Sequence, residues 1–345
     1  MKKTVILLLV LLCMISGCAK KETPKEEHAA ENQNITEEES GKIEETTQLI
    51  PFAYTFDPHV ISKEYLSVFG EEIEPLFYGF CDAVLNGEDT FACPSEPVFH
   101  EILAVARVCL PIATYLIEED DIYVENGRGH IAYRMEKEER MQLIQEFTER
   151  VSQLIESAVP YKEDDFIIAL ELLTAVAQKN TVDEETLNGG LENILNVMPY
   201  RAITENTGIC QEMAGEYIYY LLQCGINATT CSALSRDREF SHMWALVEIE
   251  GEYYHADPMM SVDYPNSPAF FGMNDTMRDQ YGDFDPEEFT YAESGVFTHE
   301  DFVCNSERFK RLWRAESYRI QHKERKLELT LFDVYAPETE DEFLY

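Results

Sequence analysis

Residues 242–258 read His242-Met-Trp-Ala-Leu-Val-Glu-Ile-Glu-Gly251-Glu-Tyr-Tyr-His-Ala-Asp-Pro258, and they decide how this chain can fold around reactive groups. Two runs rich in β-branched and aromatic residues meet at Glu250-Gly251, so the spacing predicts an antiparallel hairpin with a tight two-residue turn. Setting Ile249 opposite Glu252 carries the register back to Trp244 opposite Asp257. His242 then shares a face with Trp244 and becomes a diagonal neighbour of Asp257, about 7 to 8 Å away and within reach of a long side chain. A bulge would undo this pairing. His255 lies on the same face, so register alone leaves two histidines as candidates for the base.

Upstream, Gly208 to Gly225 carries Met213, Ala214, Tyr217, Ile218, Leu221 and Leu222 at helical spacing, with Gly225 placed to stop the helix. Cys210 falls in the first turn. There the positive end of the helix dipole and free N–H groups favour the thiolate and lower the pKa of a thiol. Gly208 is expected to let a substrate backbone approach. Standing alone, Cys210 would read as an ordinary buried cysteine. Thr229 to Leu234 reads as a strand after this helix, and Ser235 to Ser241 as a polar loop.

Gly208-Ile209-Cys210 ahead of a helix, His242-Met243-Trp244 at a strand start and Tyr253-Tyr254-His255-Ala256-Asp257-Pro258 resemble the three signature blocks of the transglutaminase-like family of papain-like thiol enzymes. The resemblance covers mainly residues 200–260. It implies an α+β, papain-like/transglutaminase-like core, in which a nucleophile-bearing helix packs on an antiparallel sheet, preceded here by a mainly helical region. It also implies catalytic roles: Cys210 as nucleophile, His242 as base and Asp257 as the group orienting the imidazole, with His255 outside the triad. The implied chemistry is attack on a peptide or protein amide to form a thioester, resolved by water or by an amine. The Cys210 N–H is a candidate for the oxyanion hole, with Gln211 or Gln223 as its side-chain partner. The alternative is a catalytically inactive binding or structural module that retains the fold.

The N-terminus addresses a different compartment. Lys2 and Lys3 lead into the apolar run Val5 to Ile15, followed by Ser16-Gly17-Cys18, the pattern of an export signal. The run is shorter than the roughly 20 residues a spanning helix needs. It resembles the bacterial lipobox, which implies a signal peptide over residues 1–17, lipidation at Cys18 and a membrane-anchored protein facing the extracytoplasmic side. Residues 18–50 are acidic, with few large apolar groups, and read as a disordered tether.

From residue 51 onward the composition is that of a globular protein, with 51–135 read as a mainly helical region and 136–345 as the transglutaminase-like domain. Helices are expected over Ser62 to Leu85 and Val98 to Leu116, with bends at Pro75 and Pro111, and over Glu136 to Val159 and Asp164 to Lys179. Another is expected from Asp183 to Met198, interrupted at Gly189-Gly190. Asp121 to Arg134 reads as a hairpin around Asn126-Gly127.

The formal net charge of -39 argues against nucleic acid as a partner, because phosphate backbones attract basic surfaces. It would steer a cationic peptide substrate favourably. Nine cysteines less Cys13 and Cys18 leave seven, an odd number, so one thiol at least is free of an intrachain partner; Cys81 with Cys93 is a candidate bridge. Asp279, Asp283 and Asp285 lack the spacing of a calcium loop, and Tyr264 to Phe302 offers aromatic residues for a groove or for packing. With no Gly-rich phosphate loop and no zinc-ligand spacing, neither cofactor nor metal is expected.

Overall fold

The computed structural model describes residues 48–188, 198–292, 296–333 and 342–344; Cys18, the apolar leader and the tether up to residue 47 lie outside them. Helices α1 (Lys63–Phe69) and α2 (Ile73–Leu85) divide the first apolar stretch. The break falls at Gly70, whose φ of 89° suits only glycine. Pro75 makes no bend, because it sits in the first turn of α2, where a missing N–H leaves no helical bond unmade. Pro111 likewise starts a helix: α3 (Glu96–Cys109) stops at Leu110 and α4 (Pro111–Leu116) opens on the proline.

Strand β1 (Thr90–Ala92) joins the expected hairpin of β2 (Tyr123–Glu125) and β3 (Arg128–His130) in a small antiparallel sheet of order β1-β3-β2. Asn126 and Gly127 both take positive φ, 53° and 74°, as a two-residue turn of this kind requires. Helix α5 (Lys137–Ala158) follows, then α6 (Asp165–Lys179), which opens on Asp164 as its carboxylate accepts the Ile167 N–H at 3.1 Å. Beyond them come β4 (Thr181–Val182), α7 (Glu184–Asn188), α8 (Pro199–Glu205) and β5 (Thr207–Gly208). The expected interruption at Gly189-Gly190 lies outside the described residues.

Helix α9 (Cys210–Gln223) runs through the middle of the core, with every residue from Glu212 to Gln223 buried. Two of those are carboxylates, and each is satisfied by partners from neighbouring elements. Glu212 accepts the Ile209 N–H at 2.9 Å, closing the helix N-terminus, and pairs with Arg201 of α8 through bonds of 2.9 and 2.6 Å. Glu216 takes Asn180 at 2.6 Å, Tyr220 at 3.0 Å and Lys179. At Gly215 a β-carbon would collide with the Pro199 ring, so glycine is what lets α8 lie this close. These anchors fix where the start of α9, and therefore Cys210, stands.

Strands β6 (Ala228–Leu234), β7 (Ser241–Ile249), β8 (Glu252–Ala256) and β9 (Thr290–Tyr291) form an antiparallel sheet of order β8-β7-β6-β9, against which α9 packs. Ala245, Val247 and Ile249 join the large core, and their alternates Trp244 and Leu246 join a second cluster with Phe284, Phe289, Tyr291 and Phe302. Of the two uses open to the aromatics from Tyr264 to Phe302, packing accounts for most of them, in these two clusters. Helices α10 (Pro258–Val262) and α11 (Asp275–Gly282) follow the hairpin, and β10 (Ala315–Gln321), β11 (Lys326–Leu331) and β12 (Glu342–Leu344) make a further antiparallel sheet.

Residues 49–345 cluster as one compact unit, in which Phe77, Phe80 and Phe99 from before residue 136 share a core with Phe147, Phe166 and Tyr219. The small N-terminal elements also reach the hairpin directly. Buried Glu64 accepts the Tyr253 hydroxyl at 2.6 Å and the Asn227 amide at 3.1 Å. Among the described residues all seven cysteines are free, so the expected Cys81–Cys93 bridge is not made; the Cys93 thiol donates instead to the Ser95 carbonyl at 3.3 Å.

Candidate active site

The hairpin register runs as the sequence pattern requires: Ile249 pairs with Glu252, and the ladder continues to Ala245 opposite Ala256. Glu250 and Gly251 turn the chain with φ of 53° and 83°. One residue beyond the ladder, His242 Nε2 and Asp257 Oδ2 stand 2.7 Å apart, as the diagonal relation predicts. Asp257 is fully buried and the His242 side chain is 11% exposed. The carboxylate is held at its other oxygen too, because Asp257 caps α10 and Oδ1 accepts the Met260 N–H at 3.0 Å.

Cys210 is the first residue of α9, with a partly exposed side chain close enough to His242 for the imidazole to lower the pKa of the thiol. Since Nε2 of His242 is engaged by Asp257, Nδ1 is the nitrogen that remains for the thiol. Helix α9 and hairpin β7–β8 thus bring Cys210 beside His242, which is bonded in turn to Asp257.

The electrostatics follow this arrangement. Burial raises the pKa of the Cys210 thiol, but the hydrogen bond and charge of His242, with the Met243 N–H, outweigh it and leave the thiol below its ordinary value. Burial lowers His242, whereas the charge and hydrogen bond of Asp257 raise it to about 9. Burial raises Asp257, against which the charges of His242 and Arg278 hold it at about 2. The six other described cysteines, Cys81, Cys93, Cys109, Cys224, Cys231 and Cys304, are all shifted upward by burial. Cys210 alone among the described thiols is shifted toward the reactive form.

His255, the other candidate base, sits in a different network. It is fully buried, its Nδ1 accepts the Trp244 indole N–H at 2.9 Å, and its Nε2 stands 2.9 Å from Asp275 Oδ1. Asp275 also meets His299 Nε2 at 2.9 Å and the Cys304 N–H at 3.0 Å. The polar atoms of His255, Asp275 and Cys304 lie within 4.8 Å of one another, a grouping able in principle to hold a metal ion. The donor set does not fit one. The indole N–H takes the Nδ1 lone pair, so the neutral ring carries its proton on Nε2 and has none left to give a metal. Burial also keeps the Cys304 thiol protonated, well above its ordinary pKa. The cluster is a closed hydrogen-bond chain.

Other sequence-based expectations change. Gly208 serves the protein's own packing: a β-carbon there would stand 3.1 Å from Glu212 Cβ. Gln223 closes the far end of α9, with its amide bonded to Tyr54, Asp57 and Tyr219, so it does not reach an oxyanion at Cys210. Gln211 adjoins Cys210 in the first turn. Asp279 and Asp283 hold Arg236 of the loop before β7, and Asp285 accepts the Glu287 N–H at 3.2 Å.

One residue escaped the sequence reading. Arg278, on α11, is 1% exposed and donates from Nη1 to Asp257 Oδ2 at 2.7 Å. Its guanidinium lies over the rings of Trp244 and Phe284, 4.4 and 4.8 Å from their centroids. Asn274-Asp275 signals a helix start, with Asn274 capping it, but no local pattern aims Arg278 at a residue 21 positions earlier.

No family model matches the chain, and no curated protein matches it. Among solved structures it is similar to a "Putative Cysteine Protease from Cytophaga hutchinsonii", at 12% identity, over 34% of this chain and 42% of that one, with a TM-score of 0.26. It is also similar to a structure described as a TGase, at 12% identity, over 40% of this chain and 43% of that one, with a TM-score of 0.29. The chain thus spans less than half the length of either.

Proposed function

We propose that this protein is a transglutaminase-like cysteine enzyme that cleaves or transfers peptide or protein amide bonds, with Cys210, His242 and Asp257 as its triad. The observation that carries this reading is the position of His242, bonded to Asp257 at 2.7 Å and near enough to Cys210 to lower the pKa of its thiol. In the first step the Cys210 thiolate attacks the amide carbonyl carbon. The imidazolium of His242 then gives its proton to the departing amine as the C–N bond breaks, leaving a thioester. His242 next takes a proton from the incoming water or amine, whose attack forms a carboxylic acid or a new amide and releases the thiol. Asp257 holds the imidazole orientation and stabilises its charge throughout. In this reading the Cys210 N–H, free of an intrahelical partner at a helix start, bonds the developing oxyanion.

Cellular placement belongs to the same proposal. The lipobox-like segment supports lipidation of Cys18, an extracytoplasmic location on the cell membrane, and a peptide or protein of the cell envelope as substrate. Among the described residues no helix is long and apolar enough to cross a membrane.

Acyl-enzyme trapping tests the chemistry. The protein is mixed with a panel of glutamine-containing and other peptides, quenched in acid and weighed intact, with a fluorescent primary amine added in a parallel arm. The proposal predicts a mass increase on the Cys210 peptide, absent from Cys210→Ala, that the amine converts to labelled product or water removes. Turnover that survives in Cys210→Ala would remove the basis for it.

A further inference from the structure

The carboxylate of Asp257 receives two cationic partners on one oxygen. His242 Nε2 and Arg278 Nη1 both stand 2.7 Å from Oδ2. The same two rings flank both partners: His242 lies 5.9 Å from Trp244 and 6.1 Å from Phe284, the latter at an interplanar angle of 7°. Arg278 lies against those rings as well. Trp244 and Phe284, packed on each other with centroids 5.3 Å apart, therefore both contact imidazole and guanidinium beside a shared carboxylate.

This is a demanding arrangement for a residue used only as filler. The Arg278 Nε is buried without a hydrogen-bond partner, and a buried ion pair is often no more stabilising than apolar groups of the same volume. Its value becomes clear when the charge of His242 is allowed to change. Without Arg278, the loss of a proton from His242 would leave Asp257 a buried carboxylate with hydrogen bonds from the Met260 N–H and the neutral imidazole but no counter-charge, which is costly. With Arg278 present, Asp257 keeps a permanent counter-charge in both states of the imidazole.

We infer that Arg278 is a positioning residue of the proposed triad, which lets His242 cycle between neutral and protonated forms by neutralising Asp257 independently of the imidazole. This rests on the triad reading above. Arg278 touches no reacting atom; it acts through Asp257. The titratable groups that face it are Asp257, His242 and His255 from the hairpin, Cys231 from β6 and Tyr281 from its own helix. Asp257 is the one it bonds. Removing a nearby cation raises the pKa of any acid beside it, so losing Arg278 moves the deprotonation of His242 to higher pH. The imidazolium then becomes a poorer proton donor to the leaving amine.

The test is the titration of His242 followed by NMR in histidine-labelled full-length protein, with its signal assigned through His242→Gln. Arg278→Met is expected to raise the midpoint by about one unit or more. Arg278→Lys, which keeps the charge, is expected to bring it back to within about half a unit of wild type. If Arg278→Met does not fold, Arg278→Gln, neutral and hydrogen-bonding, takes its place beside Arg278→Lys. An unchanged midpoint in the neutral variant, whatever happens to its melting temperature, overturns the inference. So does a Lys variant that titrates like the neutral one. The triad reading fails separately, if His242→Gln leaves the reactivity of wild-type Cys210 unaltered.

Discussion

Trp244 donates its indole N–H to Nδ1 of His255 at 2.9 Å, and this bond gives the two histidines of the hairpin different surroundings. His255 is locked in one tautomer and directed to Asp275, whereas His242 keeps a ring nitrogen for Cys210. Replacing His255 by glutamine is expected to lower the melting temperature while the alkylation rate of Cys210, measured on folded protein, stays within about twofold of wild type. His242→Gln is expected to lower that rate at neutral pH by at least about tenfold, since the thiolate loses its counter-charge. Equal losses in both variants would contradict this distinction.

The two histidines also shape stability with pH in opposite directions. His242 is raised in the folded state, to about 9, so its contribution is fully present below pH about 6.5 and lost as pH rises through about 9. His255 is lowered by burial, so the folded state resists its protonation and stability falls as pH drops below about 6.5. Urea denaturation across pH 5 to 10 should give a maximum near pH 6.5 from these two groups. In His242→Gln the alkaline decline attributable to this group, on the order of 3 kcal/mol, should disappear.

Glu212 ties Cys210 to the core through the Ile209 N–H and Arg201. Glu212→Ala removes the helix-closing acceptor and leaves Arg201 with only Asp183 among these partners. A loss on the order of 3 kcal/mol is expected, measurable by urea denaturation. Cys210 reactivity should fall in the same variant, since the helix start that carries the thiol is no longer fixed. Retained stability with full reactivity would show that α9 is positioned by other contacts.

How far the sequence reached depends on the range of the interaction. The His242–Asp257 meeting was legible because a two-residue turn and a period of two fix every position of a hairpin once Ile249 and Glu252 are paired. The meeting of Cys210 with His242 was not, because it depends on how α9 docks on the sheet. That docking is set by buried carboxylates, Glu212 with Arg201 and Glu216 with Lys179, whose partners lie on other helices. A proline marks a break or a helix start alike: the chain breaks at Leu110 ahead of Pro111, whereas Pro75 falls in a first turn that the sequence does not distinguish from a helix interior. The close approach of Glu212 to Gly208 is hidden from the sequence because it exists only once the helix forms. Arg278 lies furthest from view: its contacts with Asp257, Trp244 and Phe284 join α11 to residues distant in sequence or outside the helix, which no local pattern encodes.

The most direct test of the central claim is the rate of iodoacetamide alkylation of Cys210 between pH 5 and 9, read at the Cys210 peptide by mass spectrometry in wild type, His242→Gln and Asp257→Asn. The other described thiols, raised by burial, provide the internal comparison. The account predicts that Cys210 reacts at neutral pH at least about tenfold faster than an ordinary exposed thiol, whose pKa is near 8.5, and that both variants lose this advantage. A Cys210 that follows the pH profile of an ordinary thiol, unchanged by either substitution, would contradict it.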